Sequence, residues 1–308
     1  LDAGSSIPQT AKCTLAADLK DLIPVEMSKE VVSAGKCSPS TVAVVIVSFN
    51  SQKFLPKCLR SLAGQTRPPN YVVVVDSGST DKTYLDHLNC EVVRIGNVGY
   101  CVANNIGWQS AKNYDYVLYL NPDAFPVPDF LERAVRFMDD RENARVGLLG
   151  GSLLRYDLDS DNPTGLVDST GIVQKWYGRL VDRDSERPNA VLRKYVSPEQ
   201  VPALCAAAVF CRNQALRDVA EGDRVFDPSY FMYKDDIDLS WRVCRAGWKL
   251  IYHPALIAYH CRGLKRRKET SREMLLLSAR NEVKLRRKFG SPYLLYSLAK
   301  HLLVHLGI

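Results

Sequence analysis

The sequence predicts an α/β fold built on a parallel sheet. Four apolar runs, VAVVIV (42–47), YVVVV (71–75), EVVRI (91–95) and YVLYL (116–120), are short and rich in Val, Ile and Tyr, as strands buried on both faces are. Candidate helices at about 53–64, 80–88, 100–112 and 128–140 alternate with them. Each run gives way to polar or turn-forming residues, and in such a sheet those ends share one edge, where ligands bind.

Residues 1–40 are weakly patterned and form an N-terminal extension with one short candidate helix near 11–22. The helix at 128–140 begins after Pro128, well suited to a first turn. Clusters of Asp, Gly, Pro and Arg over 155–200 predict long loops with short strands. VPALCAAAVFCR (201–212) reads as a buried strand leading into a helix at about 213–220, and KLIYHPALIAYH (249–260) as a further strand. Helices are expected at 270–289 and 293–306. The organisation read from this is an extension (1–40), a main domain (41–262) and a basic, amphipathic helical segment (263–308).

With 308 residues, 46% hydrophobic and 24% charged, the chain has enough apolar sequence for a core that needs no disulfide staples. Its nine cysteines form no CxxC pair, which excludes zinc-ribbon and thioredoxin-type readings and predicts free thiols in a reducing compartment. The run of about 18 apolar residues that a membrane span needs is missing, and the N-terminus does not read as a secretory signal, so a cytoplasmic location is expected. Charge is uneven. Residues 261–290 carry eleven Lys or Arg and three Glu, against a net +7 for the whole chain. Such a segment suits an anionic leaflet or a phosphorylated substrate. RGLKRRK (262–268) lacks interleaved aromatics, which counts against nucleic acid.

The strand ends carry the chemistry. SFN (48–50) follows the first run. DSGSTD (76–81) offers Asp76 as an acceptor beside Ser77 and Gly78, which admit close backbone approach, while Asp81 suits a local cap. GNVGYCVANNIGW (96–108) sets glycines around Asn97, and apolar residues at 98, 102 and 106 mark an expected helix face from which Asn104 falls away. NPDAF (121–125) places a single acid, Asp123, two residues after Asn121. The densest acid cluster is Asp235, Asp236 and Asp238, beside Leu239 and Trp241. Carboxylates crowded against an apolar wall should include one of raised pKa, suited to a general base, while an acidic helix N-terminus is the structural alternative. His253 and His260 lie seven apart and so on opposite strand faces, with His260 the better ligand candidate.

In this order, VVIVSFNS (44–51), VDSGSTDKT (75–83), GNVGYCVANNIG (96–107), YLNPDA (119–124), YFMYKDDIDLSWRVCRAGW (230–248) and His260 resemble the inverting family 2 glycosyltransferases of the GT-A fold, most nearly the rhamnosyltransferase-like branch. The resemblance covers about residues 41–290. It implies a Rossmann-like nucleotide-sugar-binding half (41–125) merged with an acceptor half (126–262), followed by C-terminal helices. It also implies that Asp76 reads the base of a nucleoside diphosphate sugar, with Ser48, Asn50, Ser77, Gly78, Asn97, Gly99, Asn104 and Asn121 on the donor side. Asp123 and His260 would hold Mg2+ or Mn2+ on the diphosphate, and Asp236 would be the catalytic base. Asp235 stands where the family has Glu, and with Asp238, Trp241 and Arg242 it would support the acceptor side.

dTDP-L-rhamnose is the first expected donor, with UDP- or GDP-sugars as alternatives. The expected acceptor is a glycan or polyprenyl-linked saccharide, and residues 262–306 would rest on the inner face of the cell membrane. A degenerate, non-catalytic nucleotide-sugar-binding subunit is the other reading, since Asn121 and Asp235 both depart from the family pattern. A sugar nucleotidyltransferase would need a Gly-rich loop with Lys or Arg where SFNSQKF (48–54) stands.

Overall fold

The computed structural model describes residues 39–262 and 271–307, so the expected helix near 11–22 lies outside the described residues. The four apolar runs form β1 (Val42–Ser48), β2 (Tyr71–Ser77), β3 (Glu91–Ile95) and β4 (Tyr116–Leu120). They pair in parallel in the order β3-β2-β1-β4. After β1 the chain builds outward through β2 and β3, then returns to the other side of β1 for β4. The carboxyl ends of β1 and β4 therefore flank a topological switch point, where such sheets leave a crevice.

Beyond β4 the sheet is mixed. β11 (Ala208–Arg212) runs antiparallel between β4 and β6 (Val146–Asp157), and β12 (Lys249–His260) lies parallel to β6. β5 (Ala124–Pro126) pairs with the end of β12, β7 (Asn162–Ser169) with β6, and β10 (Glu199–Gln200) with the start of β12. β8 (Ile172–Gln174) and β9 (Leu180–Asp182) form a separate ribbon.

Helices cover both faces. α1 (Leu55–Ala63) and α3 (Phe130–Asp139) pack over Val42, Val44 and Ile46, the even positions of β1. α2 (Tyr100–Ala111), α4 (Asn213–Val219) and α5 (Asp235–Arg245) pack over the odd positions, Ala43, Val45 and Val47. The two-residue strand period thus divides one strand between two cores. α6 (Arg272–Lys288) and α7 (Leu294–Leu306) close the chain. The seven cysteines among the described residues are free thiols.

Four expectations change. The helix at 80–88 is a single 3-10 turn, Thr83–Leu85, because Asp81 takes the backbone and hydroxyl protons of Thr83 and only Leu85 turns inward. The strand expected over 201–212 narrows to β11. Residues 201–207 are mostly buried but irregular, since Pro202 has no proton to donate to a ladder. β6 falls largely before the stretch expected to hold short strands, and its Gly150–Gly151 pair disguises it. A Cβ on Gly151 would lie 2.1 Å from the Leu256 carbonyl oxygen, so the bare backbone is what lets β12 lie alongside. The buried face of α2 is Cys101, Asn104, Asn105 and Trp108, whereas Val98 is exposed and Val102 and Ile106 are half-buried. Gly107 turns that face toward Val45 and Val75.

Replacing Gly151 by Ala forces backbone apart and should cost about 1–3 kcal/mol of stability. Urea unfolding of the variant checks this.

Candidate active site

The switch-point edge is ordered from within. Ser48 stands opposite Asp76 in the β1–β2 register, and its hydroxyl bonds to that of Tyr84 at 2.7 Å. Asn50, in the left-handed region at φ 50°, receives the Thr80 N–H on its side-chain oxygen and gives its own N–H to Ser79. Asp76 is fully buried, and both its oxygens face the Ser79 N–H at 3.3 Å. Gly78 and Gly99 both have positive φ, and Asn97 is exposed. A Cβ on Gly78 would sit 2.6 Å from the Asn97 nitrogen, and one on Gly99 2.5 Å from the Phe231 ring. The Tyr100 N–H donates to the Phe231 carbonyl, so this loop touches both the β2 end and the segment that enters α5.

Asn121 follows β4. Its N–H donates to Ala207 and its side-chain oxygen accepts from the Tyr100 hydroxyl at 3.2 Å. Two residues on, the turn into β5 carries Asp123. Since β5 pairs with the end of β12, His260 stands opposite Ala124, and its Nε2 comes within 3.3 Å of Asp123 Oδ1. His260 Nδ1 bonds to Asp168 at 2.9 Å. Burial alone would lower the His260 pKa, but Asp123 and Asp168 outweigh it and raise it to about 10. His253, by contrast, packs edge-on against Phe137, and burial lowers it to about 4.

Asp123 and His260 fit a divalent cation. Adjacent ligands of an octahedral ion lie about 3 Å apart. Among the described residues no cluster of three or more His, Cys, Asp or Glu could hold a metal. The protein would thus supply two donors and leave the other positions to ligand oxygens and water.

Asp235, Asp236 and Asp238 all lie in the first turn of α5, so it has an acidic helix N-terminus and two of the same acids, Asp235 and Asp236, also have raised pKa values. Burial raises Asp235, with the charge of Asp236 adding to it. Burial likewise raises Asp236, where Asp182 adds to the effect and Lys234 and Arg262 oppose it. Asp238 has another job. It pairs with Arg242 at 2.8 Å and Lys288 at 2.7 Å, and Arg242 also caps the carbonyls of Val219 and Val225.

The helix is entered through Tyr233 and Lys234, two consecutive left-handed residues at φ 70° and 68°. Each such non-glycine residue costs on the order of 1–3 kcal/mol and needs outside support. Asn281 of α6, itself buried, supplies it by donating to the Met232 and Tyr233 carbonyls at 2.8 and 3.1 Å. On the same face of α6, Lys284 lies over the Tyr230 ring and Lys288 binds Asp227.

The structure therefore joins Asp123 to His260, and Asp236 to their surroundings through Asp182 and Arg262. Trp241 lies elsewhere, edge-on to Phe289 beside α6. Asn104 bonds back to the Tyr100 carbonyl of its own helix. Its neighbour Asn105 is the bridging amide, with three bonds to Val225 and Phe226. Sequence reading passed over Asp168, Asp182, Arg262 and Asn281. Only Arg262 carried a signal, two residues beyond His260. Nor is the basic segment wholly a surface: Arg262, Lys284, Arg286 and Lys288 bind inward-facing acids or carbonyls.

Residues 43–153 match the Glycosyl transferase family 2 model. The chain is 26% identical over 262 residues to a pre-mycofactocin glycosyltransferase of Mycobacterium tuberculosis, covering 80% of this chain and 50% of the relative. It is 28% identical over 240 residues to an N-acetylglucosaminyl-diphospho-decaprenol L-rhamnosyltransferase of the same organism, covering 70% and 75%. Among solved structures it superposes on GalNAc-T7 with UDP, GalNAc and Mn2+, at a TM-score of 0.61 and 18% identity, over 81% of this chain and 48% of that one. The chain thus spans half the length of the first of these relatives.

The raised acids give a stability test. A carboxyl whose folded pKa exceeds its unfolded value of about 4 favours folding fully below that value. The contribution is lost as pH rises through the raised folded pKa. Asp235→Asn should therefore raise Tm at pH 8, and the gain should shrink toward pH 4, as thermal unfolding at the two pH values would show.

Proposed function

We propose that this chain, whose residues 43–153 match the Glycosyl transferase family 2 model and whose fold is that of the GT-A enzymes, carries out inverting transfer of a sugar from a nucleoside diphosphate donor to a hydroxyl of a glycan or lipid-linked saccharide. One observation carries the reading. Asp236, a carboxylate held at raised pKa, is tied electrostatically through Asp182 and Arg262 to the Asp123–His260 pair at the switch-point edge.

The chemistry follows from that layout. An acceptor hydroxyl ionises far above neutral pH, so attack on the anomeric carbon needs a base placed beside it. A carboxylate raised toward neutrality takes that proton better than an ordinary one. Asp236 fills this role, and Asp235 keeps the pocket acidic around it. Asp123 and His260 would hold Mg2+ or Mn2+, which when bound offsets charge growing on the leaving diphosphate. Asp76 and the 96–99 loop bind the nucleoside and ribose, and the Asn121 amide contacts the donor where an acid would repel phosphate. On this reading residues 41–125 are the donor half and 126–262 the acceptor half.

dTDP-L-rhamnose is the first donor to test, supported by the NPD turn and by the rhamnosyltransferase among the relatives. UDP- and GDP-sugars are the alternatives. That relative's name also supports a lipid-linked acceptor. No described helix is long and apolar enough to cross a membrane. Peripheral contact through α7, which exposes Leu295, Leu298, Leu302 and Leu306 along one side, would bring the site to such a lipid.

Asp236→Asn should lower transfer by about 10²–10⁴-fold, while calorimetry against dTDP-, UDP- and GDP-sugars shows unchanged donor affinity. Turnover near the wild-type rate would refute the base assignment. With two donors, Asp123 and His260, among the described residues, the free chain should bind Mn2+ weakly and the nucleotide should tighten it. Full activity in excess EDTA would contradict the metal assignment.

A further inference from the structure

Asp168 is a carboxylate with no exposed surface, placed by an irregularity of its strand. β7 pairs with β6 through Ser169 opposite Leu153 and Val167 opposite Leu154, so Asp168 is an extra residue with no partner in the ladder. A bulge of this kind re-aims one side chain and recurs beside active sites. Here it sends Asp168 across β6, at Arg155, to the next strand but one, where His260 stands opposite Arg155. The two carboxylate oxygens divide. Oδ2 meets His260 Nδ1 at 2.9 Å, while Oδ1 accepts from Arg262 Nη1 at 2.8 Å with Arg155 Nε at 3.7 Å.

An imidazole that donates its Nδ1–H to a carboxylate is fixed in ring orientation, and when a cation displaces the other proton its Nε2 lone pair is directed to the far side. For His260 the far side is Asp123. We infer that Asp168 is a positioning residue, which turns His260 so that its Nε2 and the Asp123 carboxylate converge on one divalent cation. This rests on the proposed metal role of Asp123 and His260. Asp168 itself touches neither the ion nor the substrate. Through Arg262, which it shares with Asp182, it also links the metal pair to the surroundings of Asp236. A shift of the β7 bulge would thus disturb the donor and acceptor sides together.

The test uses the full chain and Mn2+ titrated by electron paramagnetic resonance, with saturating dTDP, UDP or GDP in separate runs. Asp168→Ala should weaken Mn2+ binding about 10–100-fold. Asp168→Asn, whose amide oxygen can still accept from Nδ1, should lose less and serves if the Ala variant does not fold. Circular dichroism and thermal unfolding establish that the variants tested are folded. Raising Mn2+ should restore transfer by the Ala variant toward wild type, a rescue that a purely structural lesion would not give. Wild-type protein that binds no Mn2+ with any of the three nucleotides overturns the metal reading and this inference with it. Wild-type binding matched within about twofold by both folded variants overturns the inference alone.

Discussion

The short antiparallel pairing of β5 with the end of β12 is the constraint on which the site depends. It spans only three residue pairs, Ala124 to Pro126 against Ala258 to His260. Without it, the turn after β4 would end the parallel sheet at one place and His260 would end a distant strand at another. With it, 136 residues of intervening chain are closed into one edge, and Asp123 meets His260 beside the switch point. Everything else in the site is arranged around that closure: Asp168 reaches His260 from the far side of β6, and Arg262 follows two residues beyond His260.

A second constraint is strain at the entrance to α5. Two consecutive left-handed residues aim Asp235 and Asp236 into the site, an arrangement the local sequence does not favour. The compensation is supplied by α6, whose Asn281, Lys284 and Lys288 repeat at helical spacing along one face and hold the 227–238 segment. α6 therefore braces the entrance to α5. This also explains why a strongly basic sequence yields a less basic surface: its cations neutralise Asp227 and Asp238 and cap carbonyls.

The balance of burial against nearby charge decides the character of each acid. At Asp235 and Asp236 burial outweighs the opposing charges, Lys234 among them, and both rise. Asp168, equally buried, is held below the ordinary carboxylate range because the bond from His260 and the charges of His260, Arg262 and Arg155 outweigh desolvation. The same side-chain type is thus pushed up in one place and held as a fixed anion in another, the two joined through Arg262 and Asp182.

The sequence by itself determined the parallel strands, most of the helices and the residues at the strand ends, because buried runs and turn chemistry are local properties read within a dozen residues. Asp123 and His260 stood out at the ends of patterned elements, whereas Asp236 was distinguished from Asp235 and Asp238 only through the family resemblance. β6 was not legible, since Gly150 and Gly151, which admit Leu204 and Leu256, look like a break. The burial of α2 was misread, because which side of a helix faces a sheet depends on where Gly107 meets Val45 and Val75. Asp168 and Asp182 lay in a stretch without clear pattern and Asn281 inside an expected helix with nothing to mark it, and only the tertiary structure showed what they bind. Their roles come from contacts some 50 to 100 residues apart along the chain, and separations of that length leave no trace in local periodicity.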